Sequence, residues 1–196
     1  MFVLGIGAHK AGSTWLYDQL AKGQNFKSIG NKELHFWVRQ CGMDQHEIWE
    51  EPKIRAWFQS EDPDLLGRGI RVQSRRYFRK IEKALTPPQW RKEAESIVAD
   101  VPPAYSGLPR TVWSHIHQKL ERSTFDYRII YLLRDPLTRI NSAVNAAVNG
   151  GRHELVSQWL RDGKSYDQIG IGLARGWPFQ ARSRYELTLA NLEAIF

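Results

Sequence analysis

The run GIGAHKAGST, residues 5–14, is preceded by the apolar MFVL and followed by WLYDQL. A buried-type strand, FVLGIG, thus passes through a glycine-bearing loop into a segment with helical spacing at Trp15, Leu16 and Leu20. That order suits a parallel sheet with helices packed on it, the loop lying at the carboxyl edge where such sheets bind ligands. Gly7 and Gly12 stand in G-x-x-x-x-G spacing and let backbone amides approach an anion. A helix starting near Ser13 aims its positive end at the same place. In the common nucleotide loop a lysine directly follows the second glycine. Here Ser13 holds that place and Lys10 comes two residues before Gly12. Ser13 and Thr14 add hydroxyl donors, and Lys10 adds a point charge on a long stem. A plain strand–turn–helix connection is the competing explanation. Lysine, glycine, serine and threonine together beside a buried strand favour the anion site.

Further along, strand and helix signals alternate. FKSIGNKELHFW reads as a second short strand with its exit loop, and residues 44–95 read as helices and loops anchored by Trp49, Trp57 and Trp90. SIVADVPPAY is a strand ended by Pro102 and Pro103, and TVWSHIHQKLE is a helix leading into the strand YRIIYLL. DPLTRINSAVNAAVNG follows as a helix, with Asp135 as N-cap, Pro136 at its first position and Gly150 as its stop. The remainder is helical. The pattern predicts one α/β domain over residues 1–196, a parallel sheet with helices on both faces.

Composition narrows the functional classes. At 42% hydrophobic and 25% charged residues the 196-residue chain is an ordinary globular domain. Its single cysteine, Cys41, excludes an internal disulfide and reads as a packing residue. No apolar run reaches the roughly 18 residues of a membrane span, and no signal peptide is visible, so a cytoplasmic location is expected. The net charge of +7 points to an anionic partner. Arg71, Arg75 and Arg79 would share one helix face, with Phe78, Ile81 and Leu85 on another. That stripe is either a solvated face or a basic wall toward an acidic substrate. No helix-turn-helix, zinc-finger or RNA-binding signature is present, so nucleic acid is not the expected partner. His115 and His117, two apart on a helix, would fall on different faces and make no metal pair.

A second strand end also carries chemistry. After IIYLL comes RDPLTRINS, with Arg134 at the strand tip, Arg139 roughly one helical turn in and Ser142 roughly two. Arg134 offers a planar fork of donors suited to phosphate. The plain alternative is that Arg134 pairs with a carboxylate, Asp135 caps and Ser142 packs.

Together, KAGSTWL and LLRDPLTRINSAV resemble the sulfotransferase superfamily that uses 3′-phosphoadenosine 5′-phosphosulfate (PAPS). NKELHFW resembles the Lys-Glu-x-His-Phe-Phe motif of its glycan-modifying branch. VPPAY is similar to the Ser/Thr-Pro-x-Tyr element, and RYELTLANLEAIF to the helix before the last core strand. The resemblance implies a P-loop-type three-layer domain with a central parallel sheet. It implies transfer of a sulfuryl group from PAPS to a hydroxyl or amine of an acceptor, a carbohydrate and by charge an anionic glycan, without a metal. Lys10, Ala11, Gly12, Ser13, Thr14 and Trp15 match the loop around the phosphosulfate, with Lys10 stabilising the leaving oxygen. Arg134 and Ser142 match the pair that binds the 3′-phosphate. Glu33 matches the general base, His35 is the second candidate, and His9 would line the donor pocket. The chain departs from the pattern at Val101 and Pro102, which stand where relatives have lysine and a hydroxyl residue. Relatives also continue into a further strand and a basic loop, so the domain is expected to be incomplete at its C-terminus. An ATP-using P-loop kinase and a non-catalytic nucleotide-binding relative are the alternatives.

Overall fold

The computed structural model describes residues 1–40, 51–86, 95–150 and 154–196. In chain order the elements are β1 (Phe2–Gly7), α1 (Ser13–Ala21), α2 (Phe36–Gln40), α3 (Glu51–Gln59), α4 (Gly67–Leu85), β2 (Val98–Asp100) and α5 (Arg110–Glu121). They continue as β3 (Tyr127–Tyr131), α6 (Pro136–Asn149), α7 (Glu154–Arg161), α8 (Tyr166–Arg175), α9 (Trp177–Ala181) and α10 (Tyr185–Ile195). Short 3-10 turns lie at Pro63–Leu66 and Pro103–Gly107.

The three strands form one parallel sheet in the order β2–β1–β3. The middle strand, β1, is buried along its whole length, and its unbroken apolar run is what a strand covered on both faces requires. Side chains alternate across it. Phe2, Leu4 and Ile6 enter the main core with Phe78 and Ile81 of α4, Val112, Trp113 and Ile116 of α5, and Leu187 of α10. Val3 faces the other way, among Ala99, Val101 and the α1 residues Leu16, Tyr17 and Leu20. Helices therefore flank the sheet on both sides, the expected α/β arrangement. A satellite core joins α6 to α7, α8 and α9 through Ala143, Val148, Val156, Ile169, Leu173 and Phe179.

Two expectations fail. FKSIGNKELHFW forms no strand; a single parallel bridge joins Phe26 to Ile97. Gly30 at φ 122° and His35 at φ 51° turn the chain, and α2 begins at Phe36. The backbone there bonds to other partners: the Lys32 carbonyl accepts from Val101 N at 2.9 Å, and Leu34 N donates to the Asp100 carboxylate at 2.9 Å. Trp15 is not on the packed face of α1; it is 64% exposed, and Tyr17 takes that role beside Leu16 and Leu20.

Other expectations hold. The Asp135 carboxylate accepts from Thr138 N at 2.8 Å, Pro136 opens α6 and Gly150 ends it. Trp57 anchors α3 by donating from Nε1 to the Gly107 carbonyl at 2.9 Å. Trp49, Trp90 and Cys41 lie outside the described residues. On α4, Phe78 and Ile81 are buried while Arg75 and Arg79 are exposed; the Arg71 side chain is outside the described set. Among the described residues no helix is long and apolar enough to cross a membrane.

Candidate functional site

The carboxyl edge of the sheet becomes a site because the ends of two neighbouring strands are stitched together. Past β1, Ala8 N donates to the Leu132 carbonyl at 2.6 Å, and Leu132 N donates to the Gly7 carbonyl at 2.7 Å. The loop after β1 is thereby held against the segment after β3, and Arg134 Nη1 reaches the Lys10 carbonyl at 2.9 Å. Gly7 has φ 137°, and a Cβ there would lie 2.7 Å from the Pro103 carbonyl oxygen, so no larger residue fits. Gly12 caps α1 in the left-handed conformation at φ 103°. Ser13 and Thr14 then form the first turn of α1, at its positive end.

A cavity of about 410 Å³ opens there, lined by His9, Lys10, Gly12, Ser13, Thr14, Lys32, Glu33, Pro103, Arg134 and Ser142. Seven residues singled out from the sequence thus meet: Lys10, Gly12, Ser13, Thr14, Glu33, Arg134 and Ser142. His9 joins them as expected of a pocket-lining loop residue. Ala11, Trp15 and His35 are not among the described lining residues. Ala11 N instead closes the loop onto the Ala8 carbonyl at 3.0 Å. The exposed Arg75 and Arg79 are not among the described lining residues either. His115 lies against Ser74 Oγ at 3.4 Å and His117 against Glu121 at 3.7 Å, on separate faces and away from the site.

Glu33 sits between two cationic or protonatable partners. Its Oε1 is 2.6 Å from Lys32 Nζ and its Oε2 is 2.8 Å from His35 Nε2. Partial burial pushes the carboxyl up, but the hydrogen bonds from His35 and Lys32 and the Lys32 charge outweigh it and hold the group at about 2. Glu33 therefore faces the cavity ionised, with His35 behind it. His35, with a left-handed backbone at φ 51°, turns back to make that contact.

Lys32 Nζ also donates to Thr14 Oγ1 at 3.0 Å and Ser13 Oγ at 3.3 Å, tying the loop hydroxyls to the carboxylate. Asp100 was missed altogether. It is 0% exposed and accepts from Leu34 N at 2.9 Å, Tyr77 OH at 2.7 Å and Tyr105 OH at 3.2 Å. Burial raises its carboxyl to about 6 against those three donors. By gripping Leu34, Asp100 fixes the backbone that carries Glu33. The one visible signal was a lone acid at the end of the apolar run SIVAD, a poor place for a charge without partners.

His9 is a neutral group in a cationic neighbourhood. Burial, then the charges of Arg182, Arg139 and Lys10, lower its pKa to about 3. Arg139 turns inward from α6, 0% exposed, with Nη2 donating to the Phe179 carbonyl at 3.0 Å and to Ser183 Oγ. Arg134 stays at the surface, its own carbonyl accepting from Tyr185 OH at 3.0 Å. Among the described residues the cavity thus presents three cations (Lys10, Lys32, Arg134), three hydroxyls (Ser13, Thr14, Ser142) and the amide end of α1 against one carboxylate. Chemically it can hold a polyanion and accept a proton beside it. No family model matches the chain, and no curated protein matches it.

Proposed function

We propose that the chain is a P-loop-type sulfotransferase that takes PAPS as donor and transfers its sulfuryl group to a hydroxyl or amine of a carbohydrate acceptor. The observation that carries this reading is that Lys10, Ser13 and Thr14 share one cavity with Arg134 and Ser142. The two sets come from motifs far apart in sequence, and each suits a different phosphate of the same donor. The loop amides, hydroxyls and Lys10 suit the 5′-phosphosulfate. Arg134, with most of its donor fork unused by the Lys10 carbonyl, and Ser142 suit the 3′-phosphate.

In the reaction the acceptor oxygen or nitrogen forms a bond to sulfur while the bond from sulfur to the bridging phosphate oxygen breaks. The acceptor proton goes to Glu33, which lines the cavity, with His35 orienting it. Negative charge gathers on the bridging oxygen and leaves as adenosine 3′,5′-bisphosphate, stabilised by Lys10. A correctly placed base is worth roughly 10²–10⁴-fold and a donor to developing charge about 10²–10³-fold. The positive lining favours an anionic glycan over a neutral one.

Thermal unfolding with adenosine 3′,5′-bisphosphate, ADP, and ATP with magnesium tests the reading on the parent chain, Lys10→Ala and Arg134→Ala. Saturation near 100 times Kd adds about 2.7 kcal/mol, or about 5–10 °C for a chain of this size. The expected result is a shift with the bisphosphate that is lost in Arg134→Ala and small with ADP. A shift with ATP and magnesium alone would replace this proposal with a phosphotransferase.

A further inference from the structure

We propose that Lys32 is a shared cation whose hydrogen bonds divide between the anion cradle and Glu33, so that a bound anion draws Lys32 away and frees the base. The inference rests on the donor reading of the same site. An ammonium has three N–H donors. Here three acceptors surround it: Glu33 Oε1 at 2.6 Å, Thr14 Oγ1 at 3.0 Å and Ser13 Oγ at 3.3 Å. Every proton of Lys32 is therefore committed. Each hydroxyl that accepts from Lys32 keeps its own O–H for a ligand, so the arrangement readies Ser13 and Thr14 as donors.

An anion seated on Ser13 and Thr14 offers Lys32 a charged acceptor in place of two neutral ones. The bond to Glu33 is charge-assisted as well, so the ammonium now lies between two anionic acceptors, and a phosphate group carrying more negative charge than one carboxylate draws it toward the ligand. The loser is Glu33. Its surroundings are Lys32 and His35 in contact, neutral His9 from the β1 loop, and Lys10 and Arg134 from the cavity wall. When Lys32 turns to the anion, Glu33 keeps only His35 as a direct partner and becomes more basic. Before a donor binds, the carboxylate is quenched by its neighbour; once the donor is in place it is ready for the acceptor proton. Lys32 is a positioning residue that couples the two halves of the cavity.

The test is a carboxyl ¹³C titration of the full chain labelled at glutamate, with the Glu33 signal assigned from Glu33→Gln. The parent, Lys32→Met and Lys32→Arg are each titrated free, with inorganic pyrophosphate and with adenosine 3′,5′-bisphosphate; the Gly12 and Ser13 amide signals report binding. In the parent, either anion should raise the Glu33 midpoint by about 1–3 pH units, the range a departing opposite charge produces. In Lys32→Met the free midpoint should already be raised, and the anion should add much less. Lys32→Arg should restore the low free midpoint. Amide shifts without movement of Glu33 in the parent, or equal movement in parent and Lys32→Met, would overturn the inference while leaving the donor reading intact. Coupling with pyrophosphate alone would sustain the inference and remove the PAPS assignment. Binding of neither anion would overturn both.

Discussion

Asp100→Asn isolates the energetic cost of the carboxylate that holds the Glu33 segment. The native side chain is 0% exposed and receives three hydrogen bonds, from Leu34 N, Tyr77 OH and Tyr105 OH. Even so, burial lifts its pKa from 3.8 to about 6. The folded chain therefore binds this proton more tightly than the unfolded one. The stability that follows is complete below about pH 3.8 and is lost as pH rises through about 6. A gap of about two units, at about 1.4 kcal/mol each, makes the ionised form cost about 3 kcal/mol at neutral pH. Asparagine keeps a carbonyl oxygen for Leu34 N and never ionises. Its amide nitrogen must find a tyrosine oxygen, a cost that does not change with pH. Going from about pH 4 to about pH 7.5, the variant should gain about 2–3 kcal/mol on the parent, or about 5–10 °C in midpoint. Thermal unfolding of both chains at the two pH values measures it. His9 acts in the opposite direction: its folded pKa is depressed to about 3, so its contribution is present above 6.5 and lost as pH falls. That effect is common to both chains and cancels in the difference. A parent–variant gap equal at both pH values would refute the account of Asp100 as a carboxylate ionised at the expense of folding.

Three further outcomes are expected. Gly7→Ala places a methyl 2.7 Å from the Pro103 carbonyl on a backbone at φ 137°, and neither can yield cheaply. It should lose on the order of 2–4 kcal/mol in urea unfolding, and a parental midpoint would contradict the close approach. Asp135→Ala removes the acceptor for Thr138 N and Thr138 Oγ1 at the start of α6. A drop of a few degrees in thermal midpoint is expected, and none would mean that the cap is idle. Arg139→Met should be neutral within about 1 kcal/mol, or stabilising, because a guanidinium costly to bury is replaced by a side chain of similar reach. The Phe179 carbonyl keeps Ser183 Oγ as a donor at 2.8 Å. A loss above about 3 kcal/mol would show that the buried charge is paired more strongly than its carbonyl and hydroxyl contacts imply.

The parts of the site that could be read directly from the chain are those whose physics is local. The glycines around Lys10, the start of α1 at Ser13 and the Asp135–Pro136 opening of α6 depend on backbone sterics and on hydrogen bonds within one turn. Neighbouring residues settle such features almost alone, and all of them stand where the sequence put them. The same holds for β1, whose unbroken apolar run already called for cover on both faces. Motif resemblance further grouped Lys10, Glu33, Arg134 and Ser142, though it could not say at what distances they meet.

The remainder depended on which segments the sheet order brings side by side. Because β3 lies directly against β1, Arg134 reaches the Lys10 carbonyl. Because β2 flanks the other side, Asp100 can take the Leu34 amide and Val101 the Lys32 carbonyl, which removes a would-be strand and turns Lys32 toward Ser13 and Thr14. Trp15 is apolar and 64% exposed, whereas Arg139 is charged and fully buried. Hydropathy describes what a side chain prefers, whereas burial and pairing follow from which neighbours arrive. Those neighbours are set by contacts between residues distant along the chain, which no local pattern contains.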